Sequence, residues 1–132
     1  MSDINFLAVT AAAVSAFALG GLWYSPLLFM KSWQQAAEIS DERLKASNQG
    51  VILGGAFVLS FVAALVFALF LGSKPSLALG LGAGFSAGLC WVTASFGINY
   101  LFERRSLRLF LVNGGYHTLQ FTLYGLILAL WH

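Results

Sequence analysis

Charge is scarce in this sequence, and carboxylates are missing from every long apolar run. Only 9% of the 132 residues are charged, against about 25% in an average soluble domain. The acidic side chains, Asp3, Glu38, Asp41, Glu42 and Glu103, all lie between or outside the apolar runs. A carboxylate proton relay through those runs is therefore excluded. Cysteine is almost absent as well. The single Cys90 cannot form a disulfide within one chain, and one thiol cannot build a zinc site. A net charge of +2 is too small to suggest nucleic acid. No nucleophile has a base at useful spacing: Cys90 and His117 both read as buried, nothing else completes a catalytic set, and His132 is the chain end. We expect no enzyme, no metal and no cofactor.

What is abundant is apolar: 59% of the residues are hydrophobic and the mean hydropathy is +0.82. So short a chain cannot bury that much apolar surface in one water-soluble core. About 20 mostly apolar residues suffice for a helix to cross the roughly 30 Å hydrocarbon layer. Four segments qualify, about 4–24, 51–72, 77–100 and 107–131. The expected fold is all-α: one transmembrane domain over 1–132, an integral membrane bundle of four transmembrane helices. The first run resembles a signal peptide in being alanine-rich, but its only early charge is Asp3 where a signal wants a positive start. We expect it to remain uncleaved.

The loops give a direction. Lys31, Arg43 and Lys45 lie in the first loop, Lys74 in the second, and Arg104, Arg105 and Arg108 around the third. The first and third loops share a side, and positive loops stay in the cytoplasm. Both termini and the Lys74-Pro75 turn should face outward. In the first loop, Ser25-Pro26 reads as an N-cap with proline at the first helical position. A short interfacial helix is expected to follow, with Trp33 in the headgroup belt and Lys31 reaching the phosphates. A further turn is expected from Ser40, where Asp41 and Glu42 precede Arg43 and Lys45, an order that suits the helix dipole. Arg104, Arg105 and Arg108 are candidate contacts for anionic lipid headgroups in the same way.

Small residues recur in every run. The rows are Ala8, Ala12, Ala16 and Gly20; Ala56, Ser60, Ala64, Ala68 and Gly72; Gly80, Gly84 and Gly88; and Gly114, Thr118 and Thr122 with Gly125 and Ala129. Lipid gives helices no hydrophobic reason to associate, so they pack by close backbone approach, for which these rows are suited. The rows do not distinguish packing within one chain from packing between copies. Because tight packing leaves little room inside one bundle, we expect a homo-oligomer.

The last run carries polar groups. At 100° per residue, Asn113, His117, Gln120 and Tyr124 fall within about 60° of one another, and His117 and Gln120 lie near the membrane midplane. Polar groups there must find partners in protein or water. Extending the glycine row of the third run through Trp91 and Ser95 brings Asn99 to the same face. A cluster of Trp23, Tyr24, Asn99, Asn113 and His117 is then expected in the cytoplasmic half. It has two readings. Interhelical hydrogen bonds, each worth about 0.6 kcal/mol on average, need no further purpose. Alternatively the stripe lines a wet path, His117 being an ionisable group at depth that can change charge near neutral pH. The first makes the chain a structural or accessory subunit binding lipid or another membrane protein. The second makes it a small oligomeric channel or carrier.

Two stretches, "GGLWYSPLLFMKSW" (20–33) and "NYLFERRSLRLFLVNGGYH" (99–117), resemble the small bacterial membrane proteins grouped as domain of unknown function 1761. The likeness covers nearly the whole chain. It departs at Met30, where glycine is expected. The resemblance implies a four-helix bacterial membrane protein, hence a cell (inner) membrane location, and implies no activity. Trp23, Tyr24, Pro26, Asn99, Asn113, Tyr116 and His117 coincide with its motifs.

Overall fold

The computed structural model describes residues 4–132, so Asp3 and the N-terminal flank on which the signal-peptide argument rests lie outside it. Four long helical stretches form a bundle, and there are no strands among the described residues. Helix α1 (Phe6–Trp23) is followed by two short helices, α2 (Met30–Ala36) and α3 (Asp41–Ala46). Then come α4 (Gln49–Leu71), α5 (Leu77–Ser86), a π-helical segment Ala87–Thr93, α6 (Ala94–Glu103) and α7 (Leu107–Leu130). Local chemistry sets the starts of the long helices. Asn5, Asn48, Ser76 and Ser106 each accept, through the side chain, from the backbone N–H three residues on, satisfying a donor the helix cannot. Gly72 ends α4 at φ 79°, a conformation glycine adopts at little cost.

Three stretches are long and apolar enough to cross a membrane: α1, α4 and the continuous run Leu77–Glu103. The fourth, α7, is as long, at 24 residues, but more polar. It can be so because it is the inner helix. The other three long stretches pack around it, and its polar side chains face them rather than lipid.

Most of the small-residue rows pack within this one chain, although Ala56 and Gly72 of the α4 row are exposed. The α5 row and its continuation meet the α7 row antiparallel, like the two sides of a zipper. A Cβ added at Gly80 would collide with the Gly125 carbonyl, and one at Gly84 with the Phe121 carbonyl. At Gly88 it would lie 2.6 Å from the His117 carbonyl, and at Gly114 2.5 Å from the Thr93 methyl. On the other side of α7, Ala8, Val9, Ala12 and Ala16 of α1 join Ala64, Phe67 and Ala68 of α4 around Tyr124 and Leu128.

Two expectations are corrected. Ser25-Pro26 does not start the interfacial helix. The Ser25 hydroxyl donates back to the Leu22 carbonyl at the end of α1, residues 26–29 form turns, and α2 begins only at Met30 with no side-chain cap. The serine is spent on closing one helix and cannot open the next. The further turn expected from Ser40 does form, as α3, capped by Ser40, which accepts from the Arg43 N–H at 3.1 Å.

The second correction concerns the face of the third span. The π-helical segment accommodates an extra residue in its turn, so the packed row runs Gly80, Gly84, Gly88 and then Thr93 and Gly97. Thr93 is 4% exposed and Gly97 faces Phe110. Trp91 is 61% exposed, and Ser95 and Asn99 are exposed with it. Cys90 likewise is exposed on the outside of the bundle, not buried.

Candidate functional site

The polar side chains of α7 form two hydrogen-bonded groups. The deeper one begins with Gln120, 5% exposed, and Tyr124, 0% exposed. The Tyr124 hydroxyl donates to the Ser60 carbonyl on α4 at 3.0 Å and accepts from Gln120 Nε2 at 2.7 Å. The Gln120 carbonyl is then the partner of His117 Nδ1, which donates to it at 2.6 Å. A carbonyl only accepts, so the Ser60 end fixes the direction of the whole chain and the histidine tautomer with it. The His117 ring stacks on Phe96 of α6, centroids 4.9 Å apart and planes 11° off parallel.

The second group lies nearer the loops. Asn113 uses both ends of its amide: the Tyr24 hydroxyl donates to Oδ1 at 2.6 Å, and Nδ2 donates to the Tyr100 hydroxyl at 2.7 Å. One side chain thus ties α7 to the end of α1 and to α6. Trp23 Nε1 donates to the Val112 carbonyl at 2.8 Å, its ring lying over Gly115, where a Cβ would come within 2.9 Å of it. Tyr116 reaches across Gly20 and donates to the Ala16 carbonyl at 2.9 Å. Tyr116 also bridges the two groups, its ring 5.6 Å from Tyr24 and 4.9 Å from His117. Thr93 donates to the Gly114 carbonyl at 3.0 Å, joining the π-helical segment to α7.

Trp23, Tyr24, Asn113 and His117 are therefore brought together, and Gln120 and Tyr124 continue the line inward. Asn99 is not among them. The extra residue of the π-helical segment turns it to the outside, and the adjacent Tyr100 takes the inward position. Tyr100 and Thr93 are participants that helical periodicity does not flag, and Ser60, a member of the α4 small-residue row, takes part through its backbone carbonyl. Among the described residues, no buried side-chain nitrogen or oxygen lacks a hydrogen-bond partner. Nor do three His, Cys, Asp or Glu side chains gather among them as metal ligands would.

The basic residues converge at the loop end. Arg108 Nη1 donates to Gln35 Oε1 of α2 at 3.2 Å, and Arg105 lies 3.9 Å from Glu38 and 3.5 Å from Glu103. The first and third loops therefore touch, and six of the seven basic residues share that end of the bundle. Arg104, Arg105 and Arg108 line one open recess there, whereas Lys31 is exposed on α2 and stands apart from it. At the opposite end the Asn5 amide donates to the Trp131 carbonyl at 3.5 Å, holding the start of α1 beside the end of α7.

Neither a curated protein nor a solved structure matches the chain. A family does, over residues 7–129: that described as protein of unknown function (DUF1761). That match takes in all four long helices, the Asn113 node and the His117–Gln120–Tyr124 line, and the chain belongs to the DUF1761 family.

Proposed function

We propose that the protein is a structural or accessory subunit of the cell (inner) membrane, not an enzyme and not a channel. The observation that carries this reading is that Asn113, Gln120 and Tyr124 of the polar stripe spend their hydrogen bonds on protein, with His117 Nε2 left without one among the described residues. A wet path needs polar groups with spare hydrogen-bonding capacity facing a lumen. Here Asn113 spends both ends of its amide on tyrosines, and Gln120 spends its own between His117 and Tyr124. The Asn113 bonds and the Tyr124 bond to the Ser60 carbonyl join α7 to α1, α6 and α4. The Gln120 bond within α7 holds Tyr124 in place for it, in a solvent that offers no competing donors.

Association with a second copy or another membrane protein fits what is left outside. Trp91, Ser95 and Asn99 stand exposed along one side of the third span. Gly54 and Gly55 of α4 have nothing within 4 Å of a would-be Cβ. Lipid tails do not satisfy an asparagine amide, which a neighbouring helix can, and bare glycines let such a helix approach closely. The six basic residues at one end support a cytoplasmic position for that end, against the anionic leaflet, with both termini outside. Arg104, Arg105, Arg108 and Lys31 would meet lipid headgroups there.

The test is cysteine labelling in intact cells with an impermeant thiol reagent, on a Cys90→Ser background. A thiol at Ser73 should label from outside. Thiols at Gln49 or Ser106 should label only after the cells are opened. Size measurement in mild detergent should give a multiple of the 14.2 kDa chain, or a complex with a second membrane protein. The reverse labelling pattern, or a lone monomer, would overturn this account.

A further inference from the structure

The π-helical segment does more than redirect Asn99. Before it, α5 lies against α7 so closely that glycine is required at Gly80 and Gly84. Beyond it, α6 and α7 leave a groove of about 420 Å³ between them. Its walls are apolar, from Gly97, Ile98, Leu101, Leu107 and Phe110, and its mouth is formed by Arg105 and Ser106. Those same two residues line the open polar recess of about 740 Å³ at the membrane edge, with Arg104, Arg108, Gln35 and Glu38. An apolar slot thus adjoins a basic recess, with Arg105 and Ser106 lining both.

The charge at the mouth is positive on balance. Three guanidinium groups face two carboxylates, Glu38 and Glu103, and both of those lie against Arg105 alone. Arg108 is held only by a neutral amide. The Arg104 guanidinium donates to the Phe102 carbonyl at 2.9 Å. Its backbone sits at φ 58°, a left-handed helix end that glycine would fill without strain. The start of the 24-residue α7 adds the positive end of its dipole to the same place.

We propose that this is a site for one anionic phospholipid, with an acyl chain in the α6–α7 groove and the phosphate among Arg104, Arg105 and Arg108. The occupant follows from the pairing of the two halves. A free phosphate leaves the apolar slot unfilled, and a zwitterionic lipid leaves the extra positive charge unmatched. The site rests on the lipid-facing role proposed above for these arginines, but not on which side of the membrane they face.

The experiment is native mass spectrometry of the full chain in detergent, titrated with phosphatidylglycerol or phosphatidylcholine of equal chain length. Wild-type protein should retain a single phosphatidylglycerol at least about tenfold more strongly than phosphatidylcholine. Because a basic side chain near anionic lipid is worth about a fivefold effect, R105Q with R108Q should bring the two lipids to near parity. Both positions are exposed, so the variant should elute at unchanged size. Ala94→Trp, which fills the groove from its wall and keeps every charge, should lower retention of both lipids. Inorganic phosphate at matched concentration should displace neither. Equal retention of the two lipids by wild type, a preference that survives loss of both arginines, or displacement by inorganic phosphate would each overturn the site. Because the readout is made in detergent, its failure leaves the labelling test of orientation untouched, and a wrong orientation leaves this result standing.

Discussion

Replacing Gln120 by leucine would cut the inner hydrogen-bonded line at its middle. Gln120 is 5% exposed, so no water reaches in to compensate. The change removes the bond from His117 Nδ1 at 2.6 Å and the bond to Tyr124 at 2.7 Å, while leucine roughly conserves volume. Both bonds lie within α7, so the cost is that of stranding buried polar partners, about 1–3 kcal/mol. Tyr124 keeps its bond to the Ser60 carbonyl, so the greater part of the loss falls on the His117 N–H. Reversible unfolding in mixed micelles, with denaturing detergent as the variable, would measure it. Tyr124→Phe should cost a similar amount, and the double variant less than the sum, because the two changes share one bond. A Gln120→Leu protein as stable as wild type, with costs that simply add, would show that the line does not form.

Two further predictions concern packing. Gly84→Ala should cost about 1–3 kcal/mol by overpacking, because its Cβ meets the Phe121 carbonyl, and Gly84→Leu should lower the yield or break the fold in mild detergent. A leucine variant of unchanged size and melting behaviour would refute the α5–α7 zipper. Deleting Val92 should remove the extra residue of the turn, so that Thr93, Gly97 and Tyr100 follow Gly88 on the packed face in plain i, i+4 register. The variant should keep its size in mild detergent, and one that loses its fold would refute this reading of the segment.

How much of this was legible in the sequence follows a physical line. Four runs of apolar residues announced four long helices, because lipid imposes composition on whatever it touches. The polar stripe was legible as well, since α7 keeps its α-helical period throughout and the angles computed at 100° per residue hold. The third span was not. Its glycine row reads correctly as far as Gly88, and then the π-helical segment adds one residue to the turn. No residue type between Ala87 and Thr93 signals that addition. Beyond it an unbroken α-helical period puts Asn99 inward, whereas the structure turns Asn99 out and Tyr100 in. Cys90 was misjudged for a simpler reason. A small apolar residue in a span is as comfortable against lipid as against protein, and only the packing of α5 on α7 decides. The Ser25-Pro26 dipeptide carries a helix-start signal, but its hydroxyl had a competing acceptor at Leu22 that the sequence does not reveal.

The central claim is that the polar stripe holds helices together and conducts nothing. Proton and cation flux through reconstituted proteoliposomes tests it most directly, with wild type and His117→Gln compared across the range around 6.5 where histidine ordinarily titrates. Glutamine keeps one donor and one acceptor for the Gln120 contact, so both proteins should fold. The account predicts that both leave the vesicles as tight as protein-free ones at every pH. A wild-type flux that changes through the histidine range and loses that response in His117→Gln would contradict it.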